Sequence, residues 1–185
     1  MNPINELRQE HEGIKTSLEI LARITQRLDA EEETAAAGDL ARLLDFFTVF
    51  VDTCHHGKEE ELLFPALEAS GVPKEGGPIG VMLADHDSGR GHVRALRGKL
   101  AEYQAGDRSV VPEIRRHAEA YAGLLRQHIE KENKVLFPIA EDQLSDETKN
   151  SLEEGFERIE TQRVGAGRHE TFHRMLDELQ KKYCR

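Results

Sequence analysis

Two eleven-residue segments, HHGKEEELLFP at 55–65 and HIEKENKVLFP at 128–138, share their first His and their Lys, Glu, Leu, Phe and Pro at a constant offset of 73. The alignment pairs His55 and Glu59, not His56 and Glu60, with His128 and Glu132. Residues four apart stand on one helical face, so each HxxxE aims an imidazole and a carboxylate at one point. A shorter echo precedes each copy, Glu10-His11-Glu12 and Asp85-His86-Asp87. The six groups His11, His55, Glu59, His86, His128 and Glu132 fall on the apolar stripes of their helices, which predicts that they meet inside the protein. A lone histidine on such a stripe is ordinarily a hydrogen-bonded core residue. That reading does not account for a doubled spacing and two buried glutamates, because an unpaired buried carboxylate costs several kcal/mol. Metal ions remove the conflict. Six ligands exceed one tetrahedral zinc and suit two octahedral ions bridged by the two carboxylates. Imidazole and carboxylate without thiolate fit iron or manganese, with zinc still allowed.

Helices must position these groups, and the apolar periodicity is close to 3.6 residues almost throughout. The first helix opens at Asn2-Pro3, carries Ile4, Leu7, His11, Ile14, Leu18, Leu21 and Leu28, and is expected to dissolve at Glu31-Glu32-Glu33. The second is expected after Gly38, running through Val51, His55 and Glu59 towards Pro65. The breaker 71–78 separates it from a third, which carries Ile79, His86, Arg90 and Val93 and stops at Gly106-Asp107. The fourth holds Ile114, Tyr121, His128, Glu132 and Ile139, with Pro138 near its end. Short or Gly/Pro-rich connections predict an all-α, antiparallel up-down four-helix bundle over 1–142. Two more helices over 143–185 are expected to pack on it, the first capped by Ser145 and the second following Gly165-Ala166-Gly167. His56, about 100° round an α-helix from His55, is expected in the outer surroundings or facing water.

Lys+Arg of 25 against Asp+Glu of 35 gives a net charge of −10, which disfavours nucleic acid and anionic membrane surfaces as partners. No apolar run approaches the ~18 residues of a membrane span, and the N-terminal ten residues are too polar for a secretory signal. Cys54 and Cys184 make neither a disulfide framework nor a thiolate cluster. These features lead us to expect a soluble, cytoplasmic protein.

The arrangement of a His, an HxxxE, a second His and a second HxxxE on successive helices resembles the hemerythrin-like family of HHE cation-binding domains. The resemblance covers roughly residues 3–142, and the two C-terminal helices resemble an extension in one bacterial branch. It implies a non-haem di-iron centre held by His11, His55, Glu59, His86, His128 and Glu132. Oxygen-carrying members have a second His four residues after the one on helix three. Here that position is Arg90, which cannot ligate a metal. His92 is rotated about 120° from His86, and Tyr121 and His117 lie about 10 Å and about 16 Å along the axis from His128. We therefore expect His169 on the last helix to complete the set, with Glu160 or His173 as alternatives. Arg90 is expected to hold Glu59 or Glu132, or to stabilise an anion.

Residues 169–173 read HETFH, the string of HExxH zinc proteases. Only twelve residues follow, with no suitably spaced third ligand, so that reading is weak. Four imidazoles and two bridging carboxylates supply eight of about twelve coordination positions on two irons, which leaves room for a bridging oxide or hydroxide and an open site. The expected function is binding or sensing of O2, NO or peroxide, or of iron. The alternative is a di-iron oxidoreductase turning over peroxide or nitric oxide, although the motifs name no substrate-orienting residue. A purely structural bundle is, like the protease, not favoured.

Overall fold

The computed structural model describes residues 2–28, 33–165 and 167–184. Among these residues there are six long helices and no strand. Helix α1 is Pro3–Gln26, with the Asn2 side chain accepting a hydrogen bond from the Ile4 amide (2.9 Å) and Pro3 starting the first turn. Helix α2 covers 33–69, α3 is Pro78–Gln104, α4 covers 111–143, α5 covers 146–165 and α6 is Arg168–Tyr183. Glu31, Glu32 and Ala166 lie outside the described residues.

Helix α2 begins at Glu33, ahead of the expected start after Gly38, because Ala35-Ala36-Ala37 are strong helix formers and Ala36 and Ala37 are buried. Each repeat contains a turn of π-helix, Glu59–Leu63 and Glu132–Leu136, and α2 has a longer π stretch over Phe47–His56. Pro65 and Pro138 follow, with only Phe64 or Phe137 between the turn and the proline. A helical proline lacks an N–H and clashes with the carbonyl four residues earlier. Widening the preceding turn relieves the clash, so both helices continue, to Ala69 and Gln143.

Antiparallel neighbours close the ring of α1 to α4. Glu10 meets His55 across α1/α2, Asp52 meets Arg90 across α2/α3, Asp85 meets Lys131 across α3/α4, and Arg8 meets Glu141 across α4/α1. Two apolar clusters fill the bundle. One holds Ile14, Leu18, Leu40, Phe47, Leu96 and Tyr121. The other holds Ile4 and Leu7 with Leu63, Phe64, Leu136 and Phe137 from the two LFP segments. His11, between Leu7 and Ile14 on α1, marks the polar layer separating them. Helix α5 adds Leu152 and Phe156 to the second cluster, and α6 adds Phe172, Leu176 and Leu179 to the first. No described helix is long and apolar enough to cross a membrane.

Candidate metal centre

The polar layer brings all six expected groups together, each 1% exposed or less. One ligand atom from each of His11, His55, Glu59 and Glu132 lies within 4.8 Å of the others, and His56, Glu59, His86 and His128 form a second such group. Glu59 belongs to both groups. It lies 3.6 Å from His55 Nε2 and 3.4 Å from His86 Nε2. Glu132 also spans the two halves, at 3.1 Å from His11 Nε2 and 3.2 Å from His128 Nε2.

Each imidazole is oriented by an oxygen on its outer nitrogen. His55 Nδ1 donates to Glu10 at 2.7 Å and His86 Nδ1 to Glu60 at 2.6 Å. His128 Nδ1 donates to Asp85 at 3.2 Å and His11 Nδ1 to Asn133 at 3.2 Å. With its proton committed outward, each ring turns an Nε2 lone pair inward. These lone pairs face one another, His11 to His55 at 3.2 Å and His86 to His128 at 3.1 Å. Without a proton between them, each pair is repulsive unless a cation sits beside both nitrogens. Two imidazole nitrogens bound at right angles to one ion, each at about 2.1 Å, stand about 3.0 Å apart.

The carboxylates make the same demand. Neither oxygen of Glu59 or Glu132 has a hydrogen-bond partner, although all are buried. Burial, with the charge of Glu132 close by, pushes Glu59 well above the ordinary carboxylate range. Burial acts on Glu132 too, but His128 and His11 hold it well below that range. Burial pushes His55 down to about 4, so its ring is neutral and ready to ligate. His128 moves up to about 9 because Glu132 and Asp85 outweigh its burial. The residues therefore fit a pair of cations.

Beyond the donors, the repeat carries a further device. Lys58 and Lys131 occupy its aligned Lys position, and each grips the carboxylate that orients the histidine three residues before it. Lys58 is fully buried and donates to Glu10 and Glu6 (both 2.6 Å) and to Glu160 (2.5 Å), while Lys131 donates to Asp85. The two phenylalanines of the LFP segments are exchanged between halves. Phe137 stacks on His11 at 5.4 Å and Phe64 on His86 at 5.9 Å.

His169 does not join the pair. Its Nε2 lies 3.7 Å from Glu10 and 3.8 Å from Glu160, in a separate group that includes Cys54. The Lys58 ammonium already supplies the positive charge there, and burial pushes the Cys54 thiol up to about 12, leaving it a poor ligand. Glu160 is held by Lys58, and His173 is exposed on the far side of His169. His173 and His169 therefore share no metal-holding group among the described residues, contrary to a zinc-protease arrangement. His56 falls in the same group as Glu59, His86 and His128, the half of the layer in which Arg90 leaves a position open. Expected outside, it is only 4% exposed, stacks on His86 at 3.8 Å, and has an Nδ1 that makes no hydrogen bond, 3.5 Å from Asp52 Oδ1. Arg90 holds neither Glu59 nor Glu132. It binds Asp52 (2.7 Å), Asp87 (3.0 Å) and Glu60 (2.6 Å), the last of which orients His86. His92 and His117 pair with each other, Nδ1 to Nδ1 at 3.1 Å.

A four-helix bundle with an interior layer of imidazoles around two shared carboxylates defines a class of metal-binding protein. Residues 2–140 match the family described as Hemerythrin HHE cation binding domain, and the chain belongs to that family. It is also similar to uncharacterized proteins of Mycobacterium bovis and Mycobacterium tuberculosis. Each is 26% identical over 160 residues, which cover 86% of this chain and 62% of the relative. An iron-sulfur cluster repair protein, YtfE of Yersinia pseudotuberculosis, is 28% identical over 146 residues, covering 74% of this chain and 62% of the relative. The matches thus span 62% of the length of these relatives.

Proposed function

We propose that the chain is a non-haem di-iron protein that binds or senses O2, NO or peroxide. The observation that carries this reading is the two facing Nε2 pairs, at 3.2 Å and 3.1 Å, flanked by glutamates with no hydrogen-bond partner. His11 and His55 would hold one ion and His56, His86 and His128 the other, with Glu59 and Glu132 available to both. Bound there, iron supplies one-electron redox chemistry and a coordination position for a small ligand. The protein's own contribution is orientation and exclusion of water. Glu10, Glu60, Asp85 and Asn133 fix the ring tautomers, and Phe64 and Phe137 close the site on the side of the LFP segments.

A second reading, in which the iron pair serves the repair of iron-sulfur clusters, is favoured by the name of the Yersinia relatives. Metal analysis of aerobically purified protein, followed by titration of the reduced form with oxygen, nitric oxide and peroxide, separates these readings. Stable, spectroscopically distinct adducts support binding or sensing, and catalytic consumption moves the assignment to an oxidoreductase. A reduced form inert to all three ligands contradicts the proposal and leaves iron handling as the better account.

A further inference from the structure

Outside the metal layer, His92 on α3 and His117 on α4 meet across the α3/α4 seam. Their Nδ1 atoms stand 3.1 Å apart, their ring centroids 5.4 Å apart, and both residues are half-buried. The separation is that of the facing Nε2 pairs in the metal layer, but the surroundings are reversed. In the metal layer the outer nitrogens face oxygens, which draws each proton outward. Here the outer Nε2 of His117 faces a donor, Arg116 Nη2, at 3.3 Å. A guanidinium has no acceptor, so this nitrogen keeps its lone pair and the neutral ring carries its proton on Nδ1. That proton lies between the rings and is donated to Nδ1 of His92, whose own proton then sits on Nε2. A proton fills the place that a cation would need, and neither histidine belongs to a metal-holding group among the described residues.

The chain from Arg116 through His117 to His92 is satisfied while both rings are neutral. A further proton has two places to go, and each costs a contact. On His117 Nε2 it would point at the Arg116 guanidinium. On His92 Nδ1 it would oppose the His117 proton across 3.1 Å, and moving that proton to Nε2 only transfers the conflict to Arg116. The charged groups facing the pair come from the same two helices, Arg116 and Glu113 from α4 and Lys99 from α3. Lys99 lies 3.4 Å from Glu113 and 3.1 Å from Glu102, so the nearby carboxylate of Glu113 is already shared with an ammonium. Burial, with Arg116 and His92 adding to it, holds His117 below the ordinary 6.5.

We propose that His92 and His117 form a pH-sensitive latch between α3 and α4, closed while both rings are neutral and released by protonation. A histidine depressed in the folded state contributes stability that is present above its unfolded pKa, about 6.5, and is lost as pH falls through the folded value. The latch stands on the seam alone and survives failure of the di-iron reading.

Two measurements on the full chain test it. Nitrogen NMR of the imidazole side chains at about pH 8, where histidine is neutral, reads the tautomers, each ring being identified by its loss in His92→Asn or His117→Asn. His117 is expected in the Nδ1–H form and His92 in the Nε2–H form. Hydrogen exchange, corrected for its intrinsic pH dependence, reads the seam. Amides within 92–99 and 113–120 are expected to open about tenfold more readily at about pH 5 than at about pH 7.5, the scale of one lost hydrogen bond. The double variant His92→Asn/His117→Asn sets an amide donor and acceptor where the two Nδ1 atoms stand and cannot take a charge, so it is expected to abolish that response. The tautomers of the parent chain decide the matter even if the double variant fails to fold. His117 in the Nε2–H form overturns the proposal, as does a seam opening that the parent lacks or that the double variant retains.

Discussion

A buried imidazole is ambiguous until both of its nitrogens are accounted for. Here the outer nitrogens of His11, His55, His86 and His128 are committed to Asn133, Glu10, Glu60 and Asp85, which turns their four Nε2 atoms inward on the shared layer. These orienting residues were legible in the sequence as positions but not as roles. Glu10 and Asp85 each precede a solitary histidine, and Glu60 and Asn133 each follow a repeat glutamate. Their function emerges only when helices far apart in sequence cross. His56 and His169 exchange their expected parts, which gives a paired prediction. His56→Ala is expected to lower the affinity for one of the two ions by at least tenfold, while His169→Ala leaves metal stoichiometry unchanged, both read by elemental analysis after dialysis against graded chelator. Lys58 supports a second prediction. Replacing it with Ala leaves Glu6, Glu10 and Glu160 facing one another without their shared cation. Breaking a buried ion pair costs about 3–5 kcal/mol, which in a chain of this size lowers Tm by about 10 °C. Thermal unfolding checks this, and adding Glu160→Gln to Lys58→Ala is expected to recover part of the loss.

At the scale of the helix, the 3.6-residue period located the stripes carrying the six donors, while the winding of α2 stayed hidden. Its π stretch over Phe47–His56 advances each residue by a smaller angle than an α-helix does, which brings His56 closer to the direction of His55 and into the interior. An α-helical projection places it outside. The prolines of the LFP segments read as helix kinks or ends, and the π turn ahead of each lets the helix continue and presents its glutamate at the turn's first residue. Pro138→Ala restores an N–H and removes the clash that opens the turn Glu132–Leu136. That turn is then expected to tighten towards α-helix and withdraw Glu132, weakening metal binding by about tenfold with little change in circular dichroism. Unchanged affinity in Pro138→Ala would separate the π turn from the site.

For the molecule as a whole, α5 and α6 are tied to the bundle by burial and by a few charged anchors. Asp39 on α2 accepts hydrogen bonds from Lys182 (2.7 Å) and Tyr183 (2.8 Å) at the end of α6. Its burial would raise its pKa, but these partners and Arg42 hold it below the ordinary 3.8. A carboxylate depressed in the folded state contributes stability above its unfolded pKa and loses it as pH falls through the folded value. The Tm gap between the parent chain and Asp39→Asn is therefore expected to be full at pH 6 and to close below about pH 4, as measured by unfolding across that range. The sequence showed that two extra helices exist, because their apolar stripes are intact. It did not show that their charged residues reach the Lys58 network and not the metal layer, since that depends on how α6 docks. The central claim is that the whole fold converges on two cations. Anomalous diffraction from crystals of the iron-loaded protein tests it most directly. Two iron peaks are expected, one beside His11 and His55 and one beside His86 and His128, both flanked by Glu59 and Glu132. A single peak, no peak in that layer, or a peak beside His169 would contradict it.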